Sequence, residues 1–286
     1  MPLTLFLVRH GERMDHVESS FLYTTPTPYD PPLTPRGKRQ AEKTGAYIYD
    51  IRLETIDKDR DHQRNAEYVI YVSPFLRTVE TAVGIAEGIS TSQSNLPASA
   101  IKLRIESALA EWHTAAYYAQ AVPNSIITTR VEELHRLTAS GQPFFEVDWT
   151  YKPVFDQLPD YPEGIYEVSK RCADALQGIA APYIESLQQD SSKDIVLIIV
   201  THGWCFNVIQ EACSKESTWT EAGFCAISRA RWIPKGTQEE QRVPSIKIDL
   251  PDEDIKKADV NDNNPLGKWI VDITSSVEHL KGILGS

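Results

Sequence analysis

The stretch Asp194–Val200, Asp-Ile-Val-Leu-Ile-Ile-Val, constrains the fold of this chain more than any other. It is an unbroken apolar run of strand length, rich in β-branched side chains. Such a strand carries apolar groups on both of its faces, so both faces must be covered. Helices on either side of a parallel sheet provide that cover. Leu3–Val8 is a second apolar run of strand length. Both runs stop abruptly in polar residues: Thr201-His202-Gly203 after the first, Arg9-His10-Gly11-Glu12-Arg13 after the second. Polar groups crowded beyond a strand's carboxyl end mark the usual ligand site of an open α/β sheet.

The rest of the pattern fits that architecture. Thr34 and Pro35 read as the N-cap and first residue of a helix running to about Leu53, with Ala41, Ile48 and Leu53 facing inward. Glu67–Val72 reads as a strand. Ser73-Pro74 ends it, and a helix follows from Phe75 to about Gly88 with Arg77 in its first turn. Ser90–Ser99 reads as a loop, and Ile101–Ile105 as a strand near an edge. Strand, helix, strand, helix, strand is the signature of a parallel sheet. Met14–Pro32 and Asp57–Asn65 read as loops. Glu163–Gln189 is helical, with Pro182 expected to bend or divide it, and a further helix covers Trp204–Cys213. Gly223–Trp232 and Val243–Ile248 read as closing strands.

The expectation is therefore an α/β fold of three layers, α/β/α, with a mostly parallel central sheet, over residues 1–250. Residues 108–162 form an aromatic-rich insertion with a helix over Thr129–Ala139. It reads as packing over the carboxyl edge of the sheet, as a second small core, or as both. Residues 251–286 read as a C-terminal tail, weakly helical over Val277–Ile283 and docked through Trp269 and Ile270.

Composition excludes several classes. A net charge of −11 over 286 residues opposes broad nucleic-acid binding through the phosphate backbone. Apolar runs stay well short of the ~18 residues that a membrane span needs. The first residues lack the basic leader of a signal peptide. Four cysteines without a Cys-x-x-Cys pair suggest neither a disulfide framework nor a zinc site. No carboxylate cluster suggests another metal, and no cofactor is expected. A cytoplasmic or nuclear setting follows as the default.

Parallel strands bring their carboxyl ends to one edge. Arg9, His10, Arg13, Arg77 and His202 should therefore converge. Three guanidiniums around two imidazoles repel one another unless an anion lies among them. A phosphoryl group removes the conflict, and arginine's planar fork suits its oxygens.

The ordered motifs Leu-Val-Arg-His-Gly-Glu-Arg (7–13), Leu-Thr-x-x-Gly-x-x-Gln-Ala (33–41), Ser-Pro-x-x-Arg-x-x-x-Thr (73–81), Glu111-Trp112 and Val-Thr-His-Gly (200–203) resemble the histidine phosphatase superfamily, whose fold is phosphoglycerate-mutase-like. Glu12-Arg13-Met14-Asp15 and Glu111-Trp112 are most similar to the TULA-type phosphatase domains and their fungal relatives, including the phosphatase-like tau subunit of transcription factor IIIC. The resemblance implies a metal-independent phosphomonoesterase with His10 as the nucleophile that forms a phosphohistidine. Arg9, Arg13, Arg77 and His202 would hold the phosphoryl oxygens, and Glu111 would serve as acid and then base. Aryl phosphates or phosphotyrosine suit the aromatic insertion. The implied ligands are a phosphorylated small molecule or phosphopeptide, with phosphate, vanadate or tungstate as mimics. The alternative is a phosphatase-like interaction subunit of a larger complex, such as a fungal transcription factor IIIC assembly. The sequence leaves a homodimer or a protein complex open.

Several neighbours read more plainly. Glu12 should orient an arginine, and Ser73 should cap the helix carrying Arg77 in preference to touching phosphate. His113 should be an exposed histidine. Cys205 has no mark of a nucleophile. Thr34, Gly37 and Gln40 read as helix-start and packing positions, while Gly11 and Gly203 suit close approach of the backbone to a ligand. Trp204 departs from the small or polar residue common in the family, and would narrow the pocket or form its wall.

Overall fold

The computed structural model describes residues 3–55, 66–93, 96–141, 144–190, 194–214, 219–237 and 266–283. The strands are β1 (Leu3–Arg9), β2 (Glu67–Val72), β3 (Ile101–Ile105), β4 (Glu146–Val147), β5 (Ile195–Thr201), β6 (Ile227–Pro234) and β7 (Gly267–Ser276). They form one seven-stranded sheet in the order β4-β3-β2-β5-β1-β6-β7. From β4 to β1 all pairings are parallel; β6 and β7 pair antiparallel at the other end. The expected mostly parallel sheet is present, and its doubly apolar strand, β5, lies between β1 and β2.

Side chains of the central strands alternate between two separate cores. Leu3, Leu5, Leu7, Val69, Tyr71, Ile195, Leu197 and Ile199 face one core. It is closed by α6 (Ile165–Gln189) and α7 (Gly203–Ser214). Phe6, Val8, Ile70, Val72, Val196, Ile198 and Val200 face the other. That core lies under α3 (Pro35–Thr55) and α4 (Leu76–Ser92). All seven residues of β5 are buried. A strand of this kind has no solvent face, which is why it reads as a continuous apolar run rather than an alternating one.

α3 and α4 cross closely enough to exclude side chains at the contact. A Cβ on Gly45 would lie 2.1 Å from the Ile85 carbonyl oxygen, and one on Gly88 would lie 2.0 Å from that of Glu42. Thr34 caps α3 as expected, accepting from the Gly37 amide at 2.9 Å. Ala41 and Ile48 are buried as expected; the Leu53 side chain and Asp57–Asn65 lie outside the described residues.

Several boundaries differ from the sequence reading. Met14–Pro32 contains two single-turn helices, α1 (Met14–Val17) and α2 (Phe21–Thr24). α4 continues to Ser92, into the expected loop, and a 3-10 turn occupies Ala98–Ala100. The helix α5 (Ser125–Ala139) starts four residues before the expected Thr129. α6 runs through Pro182 undivided to Gln189. One lost hydrogen bond there is outweighed by an apolar face that buries Val168, Cys172, Leu176, Ile179, Ile184 and Leu187.

The tail reading is corrected in one respect. Gly267–Ser276 is not an appended segment but the edge strand β7, paired with β6 from Gly267↔Pro234 to Ser276↔Ile227. Trp269 is buried and packs edge-on to Trp232 at 5.3 Å. Its alternation of apolar and polar residues is interrupted by register shifts against β6, which hides the strand period. A 3-10 turn follows at Glu278–Leu280. Val243–Ile248 lies outside the described residues.

Candidate active site

Strand register assembles the site. Arg9 of β1 stands opposite Thr201 of β5, and Val72 of β2 opposite Val200. The residues that follow, His10, His202 and Ser73, therefore leave three adjacent strands at nearly one level. The His10 amide donates to Thr201 O (3.0 Å) and the Ser73 amide to Val200 O (3.2 Å), extending the ladder one step past the strands. The imidazoles of His10 and His202 meet edge to face with centroids 5.4 Å apart. Both are buried.

The tautomer of His10 follows from its partner. Nδ1 lies 2.9 Å from Gly11 O. A carbonyl only accepts, so Nδ1 carries the proton and Nε2 of the neutral ring holds a lone pair. Burial, followed by the charges of Arg77, Arg9 and Arg13, holds the His10 pKa well below that of a free imidazole. The ring is thus neutral across the physiological range, with the Nε2 lone pair free. His202 is held neutral in the same way, by burial first and then Arg77. Its Nε2 bonds Ser73 Oγ at 2.9 Å, and Glu111 Oε2 lies 3.5 Å from Nδ1, too far for a good hydrogen bond.

The cations stand around these rings. Arg77 is 1% exposed; its guanidinium lies over the Phe75 ring at 4.5 Å and reaches Tyr29 O at 3.4 Å. Arg9 bonds Ala222 O and lies over Phe224 at 4.8 Å. Arg13 is fixed by a bidentate pair to Asp15, at 3.0 and 2.8 Å. Burial pushes the guanidinium pKa down at both Arg9 and Arg13, and nearby arginines add to it. Arg9 Nε, Arg77 Nε and His202 Nδ1 are buried with no protein hydrogen-bond partner. Buried donors are rarely left unpaired. Two such donors, Arg9 Nε and Arg77 Nε, beside the unpartnered ring nitrogen of His202, fit an anion.

Glu111 enters from the insertion. Its Oε1 accepts from the Trp112 amide at 3.1 Å, and its Oε2 lies 3.9 Å from Arg77 Nη2. The backbone before it is tied down at every carbonyl. Thr201 Oγ1 donates to Leu109 O (2.8 Å), Cys205 Sγ to Ala110 O (3.1 Å), and Arg171 Nη1 to Ala108 O and Ala110 O (2.6 and 3.0 Å). Arg171 also grips Glu163 at 2.7 and 2.8 Å. Glu163 in turn accepts from the His113 amide (3.2 Å), and its carbonyl accepts from Trp112 Nε1 (2.9 Å). The insertion thus reaches the carboxyl edge, and it also builds a satellite core of Phe75, Ala110, Val122, Ile126 and Leu158. Both readings of that stretch hold.

All six residues singled out from the sequence, Arg9, His10, Arg13, Arg77, Glu111 and His202, come together. Other readings change. Ser73 does not cap α4, whose N-cap is Phe75; its hydroxyl orients His202 instead. His113 is buried, bonding Pro159 O at 3.0 Å and meeting Tyr118 edge-on at 5.5 Å. Gly11 is required by packing rather than by a ligand, since a Cβ there would sit 2.7 Å from Gly37 O. At Gly203 a Cβ would meet Arg9 Nε at an ordinary 3.5 Å. Glu12 does orient an arginine, Arg36, while accepting from Thr34 at 2.7 Å. Cys205 is buried and packed.

Phe224, Tyr118 and the Arg171–Glu163 pair escape the sequence reading. Phe224 has no motif around it, yet its ring lies 5.9 Å from His10 and 5.0 Å from His16. Tyr118 is near Arg77, Glu111 and Arg13, with burial holding its phenol up to about 12. Among the described residues, no group of three or more His, Cys, Asp or Glu side chains is placed to hold a metal ion, and no helix is long and apolar enough to cross a membrane.

Comparison with known proteins agrees with this geometry. The family model of the histidine phosphatase superfamily (branch 1) matches residues 5–238. The chain belongs to the histidine phosphatase superfamily. That match takes in β1, the site and β6. Among solved structures, the ecdysone phosphate phosphatase of Bombyx mori, in complex with tungstate, is 20% identical; the match covers 80% of this chain and 88% of that one, with a TM-score of 0.54. Bacillus stearothermophilus YhfR is 19% identical over 97% and 99% of the two chains, with a TM-score of 0.49. A mycobacterial glucosyl-3-phosphoglycerate phosphatase is 16% identical over 96% and 98%, with a TM-score of 0.47. At these identities the likeness speaks to the fold of the superfamily member. No curated protein matches the chain.

Proposed function

We propose that this histidine phosphatase superfamily chain is a metal-independent phosphomonoesterase that works through a phosphohistidine on His10. The observation that carries the reading is the neutral His10 ring, with an unprotonated Nε2, set among Arg9, Arg13 and Arg77 and 5.4 Å from His202. The lone pair of Nε2 attacks phosphorus in line, and the ester P–O bond breaks as the P–N bond forms. The departing oxygen takes a proton from the Glu111 carboxyl and leaves as an alcohol or phenol. Water then attacks the phosphohistidine, Glu111 accepts its proton, and the P–N electrons return to Nε2 as phosphate departs. The guanidiniums and His202 hold the equatorial oxygens through both steps. Because they are fixed before reaction, they need little reorganisation as charge shifts.

Aryl phosphates, phosphotyrosine among them, are the proposed substrates, supported by the rings of Phe224, Tyr118 and Trp112 around the site. A place beside the TULA-type domains and their fungal relatives belongs to the same proposal. It is supported by the Arg13–Asp15 pair, which makes a structural unit of Glu12-Arg13-Met14-Asp15. Tungstate, seen in the Bombyx mori phosphatase structure, and vanadate are proposed as competitive ligands.

The test is turnover of p-nitrophenyl phosphate in the presence of a metal chelator, with vanadate as inhibitor. Chelator-resistant turnover that vanadate blocks competitively is the expected result. No turnover and no oxyanion binding would overturn the reading and favour the phosphatase-like interaction subunit.

A further inference from the structure

Arg77 is held at two points by one dipeptide of the loop that precedes α3. Asp30 Oδ1 accepts from the Leu76 amide at 2.6 Å, and Leu76 is the first residue of α4. The Tyr29 carbonyl accepts from Arg77 Nη1 at 3.4 Å. The backbone just before Arg77 and the end of its side chain are thus both fixed from Tyr29-Asp30. Further along, the Leu33 amide donates to Glu80 of α4 at 2.6 Å, so the loop follows the helix for its first turn. Asp30 is 5% exposed, and its other oxygen accepts from Arg130 Nη2 at 2.9 Å. Arg130 is also buried; it reaches Asp30 from α5 of the insertion and pairs with Glu133 as well. Val122, Ile126 and Tyr29 pack with Phe75 in the same corner.

A helix start needs no charge, since Ser, Thr or Asn satisfies first-turn amides as well. A carboxylate and a guanidinium taken out of water together carry a desolvation cost that a neutral cap avoids. The carboxylate stands where it interacts with the charge of Arg77. Arg77 shares the site with Arg9 and Arg13, and like charges repel until an anion lies among them. A carboxylate at the first turn of α4 and a carbonyl on the guanidinium oppose that repulsion. We propose that Asp30, braced by Arg130, is a positioning residue that holds Arg77 ready before the phosphoryl group arrives. The inference rests on the phosphomonoesterase reading, in which Arg77 holds phosphoryl oxygens. It gives α5 a part in phosphate binding through an ion pair rather than through contact with the ligand. Without Asp30, Arg77 samples other arrangements, and apparent affinity falls with the fraction of the competent one.

The test is calorimetric titration of vanadate into the full chain, arranged as a double-mutant cycle. Asp30→Ala is expected to weaken vanadate about tenfold, the scale of one lost hydrogen bond to a charged group. In an Arg77→Lys background the guanidinium that Asp30 positions is gone, and the same change should cost less than about twofold. General damage to the fold would weaken binding in both backgrounds alike, so the cycle separates it from positioning. Asp30→Asn keeps an acceptor for the Leu76 amide and removes the charge that Arg130 pairs with. It keeps the test open if the alanine variant does not fold, and should weaken vanadate several-fold, again only where Arg77 is present. KM for p-nitrophenyl phosphate should rise in step while kcat moves less, because a bound phosphoryl group itself draws Arg77 in. Vanadate affinity unchanged by Asp30→Asn, or losses equal in the two backgrounds, would overturn the positioning role while the phosphate site stands. If the wild type does not bind vanadate, the phosphatase reading itself fails and the positioning role falls with it.

Discussion

Replacing Arg171 by methionine tests how the insertion is held against the sheet. Arg171 and Glu163 are buried, with side chains 5% and 3% exposed. The substitution removes two bonds to the Glu163 carboxylate and two to the carbonyls of Ala108 and Ala110. Glu163 is left as a buried carboxylate whose remaining partner here is the His113 amide at 3.2 Å. Breaking a buried pair from one side costs ~3–5 kcal/mol, because the stranded charge keeps its desolvation penalty. For a chain of this size that is a fall in Tm of roughly 10 °C. Arg171→Met/Glu163→Met removes both charges, and should recover more than half of the loss. Urea unfolding of the wild type, both single variants and the double variant closes the cycle. The same measurement has a functional arm. Glu111 hangs from the segment that Arg171 grips, so Arg171→Met should slow turnover of esters with poor leaving groups more than that of p-nitrophenyl phosphate. A single-variant loss below ~1 kcal/mol, or a double variant no more stable than Arg171→Met, would refute the clamp.

Further expectations follow from individual contacts. Ser73→Ala leaves His202 Nε2 buried without its partner at 2.9 Å; the expected cost is ~1–3 kcal/mol with slower turnover, and Ser73→Thr should restore both. Gly88→Ala places a Cβ 2.0 Å from Glu42 O, so urea unfolding should show a loss of ~1–3 kcal/mol or more; a gain in stability would contradict the close α3–α4 crossing. The pH dependence of stability has a fixed sign. Burial, helped by Arg77, holds His10 and His202 neutral in the fold, and burial lowers His279 to about 4. Each titrates near 6.5 once unfolded, so below that pH the unfolded chain binds more protons and the ligand-free protein loses stability as pH falls. Each histidine contributes ~1.4 kcal/mol per pH unit until its folded pKa is reached. Between pH 6.5 and 5.5 His10→Asn should show a shallower fall than the wild type, by ~1 kcal/mol, since the unfolded imidazole is half protonated at the upper limit; identical slopes would mean that His10 is already charged in the fold.

The residues legible from sequence are those whose place follows from strand ends. Two apolar runs fix β1 and β5, and parallel pairing carries Arg9, His10 and His202 to one edge with no further information. Arg77 is legible because it follows Ser73-Pro74 by a fixed step along a helix. Ser73 reads from sequence as a helix cap or a phosphate contact, and its bond to His202, a side chain from another strand, leaves no sequence signature. The register of β2 against β5 sets Ser73 beside His202 and so gives that bond. His113 reads as exposed because its burial depends on Pro159 and Tyr118, contacts made by an irregular insertion. β7 is obscured for a related reason: as an antiparallel edge strand with register shifts it is half wet and carries no clean period. Arg171 and Glu163 look like surface charges on and before a helix, because pairing eight residues apart across a helix start leaves no sequence signature.

The most direct test of the account is rapid acid-free denaturation during turnover of a 32P-labelled aryl phosphate, followed by peptide mapping. The account predicts label that is stable to alkali, lost in acid, and carried by the peptide containing His10; His10→Ala protein should carry none. Turnover by the wild type without any such label on His10, or undiminished turnover by His10→Ala, would contradict it.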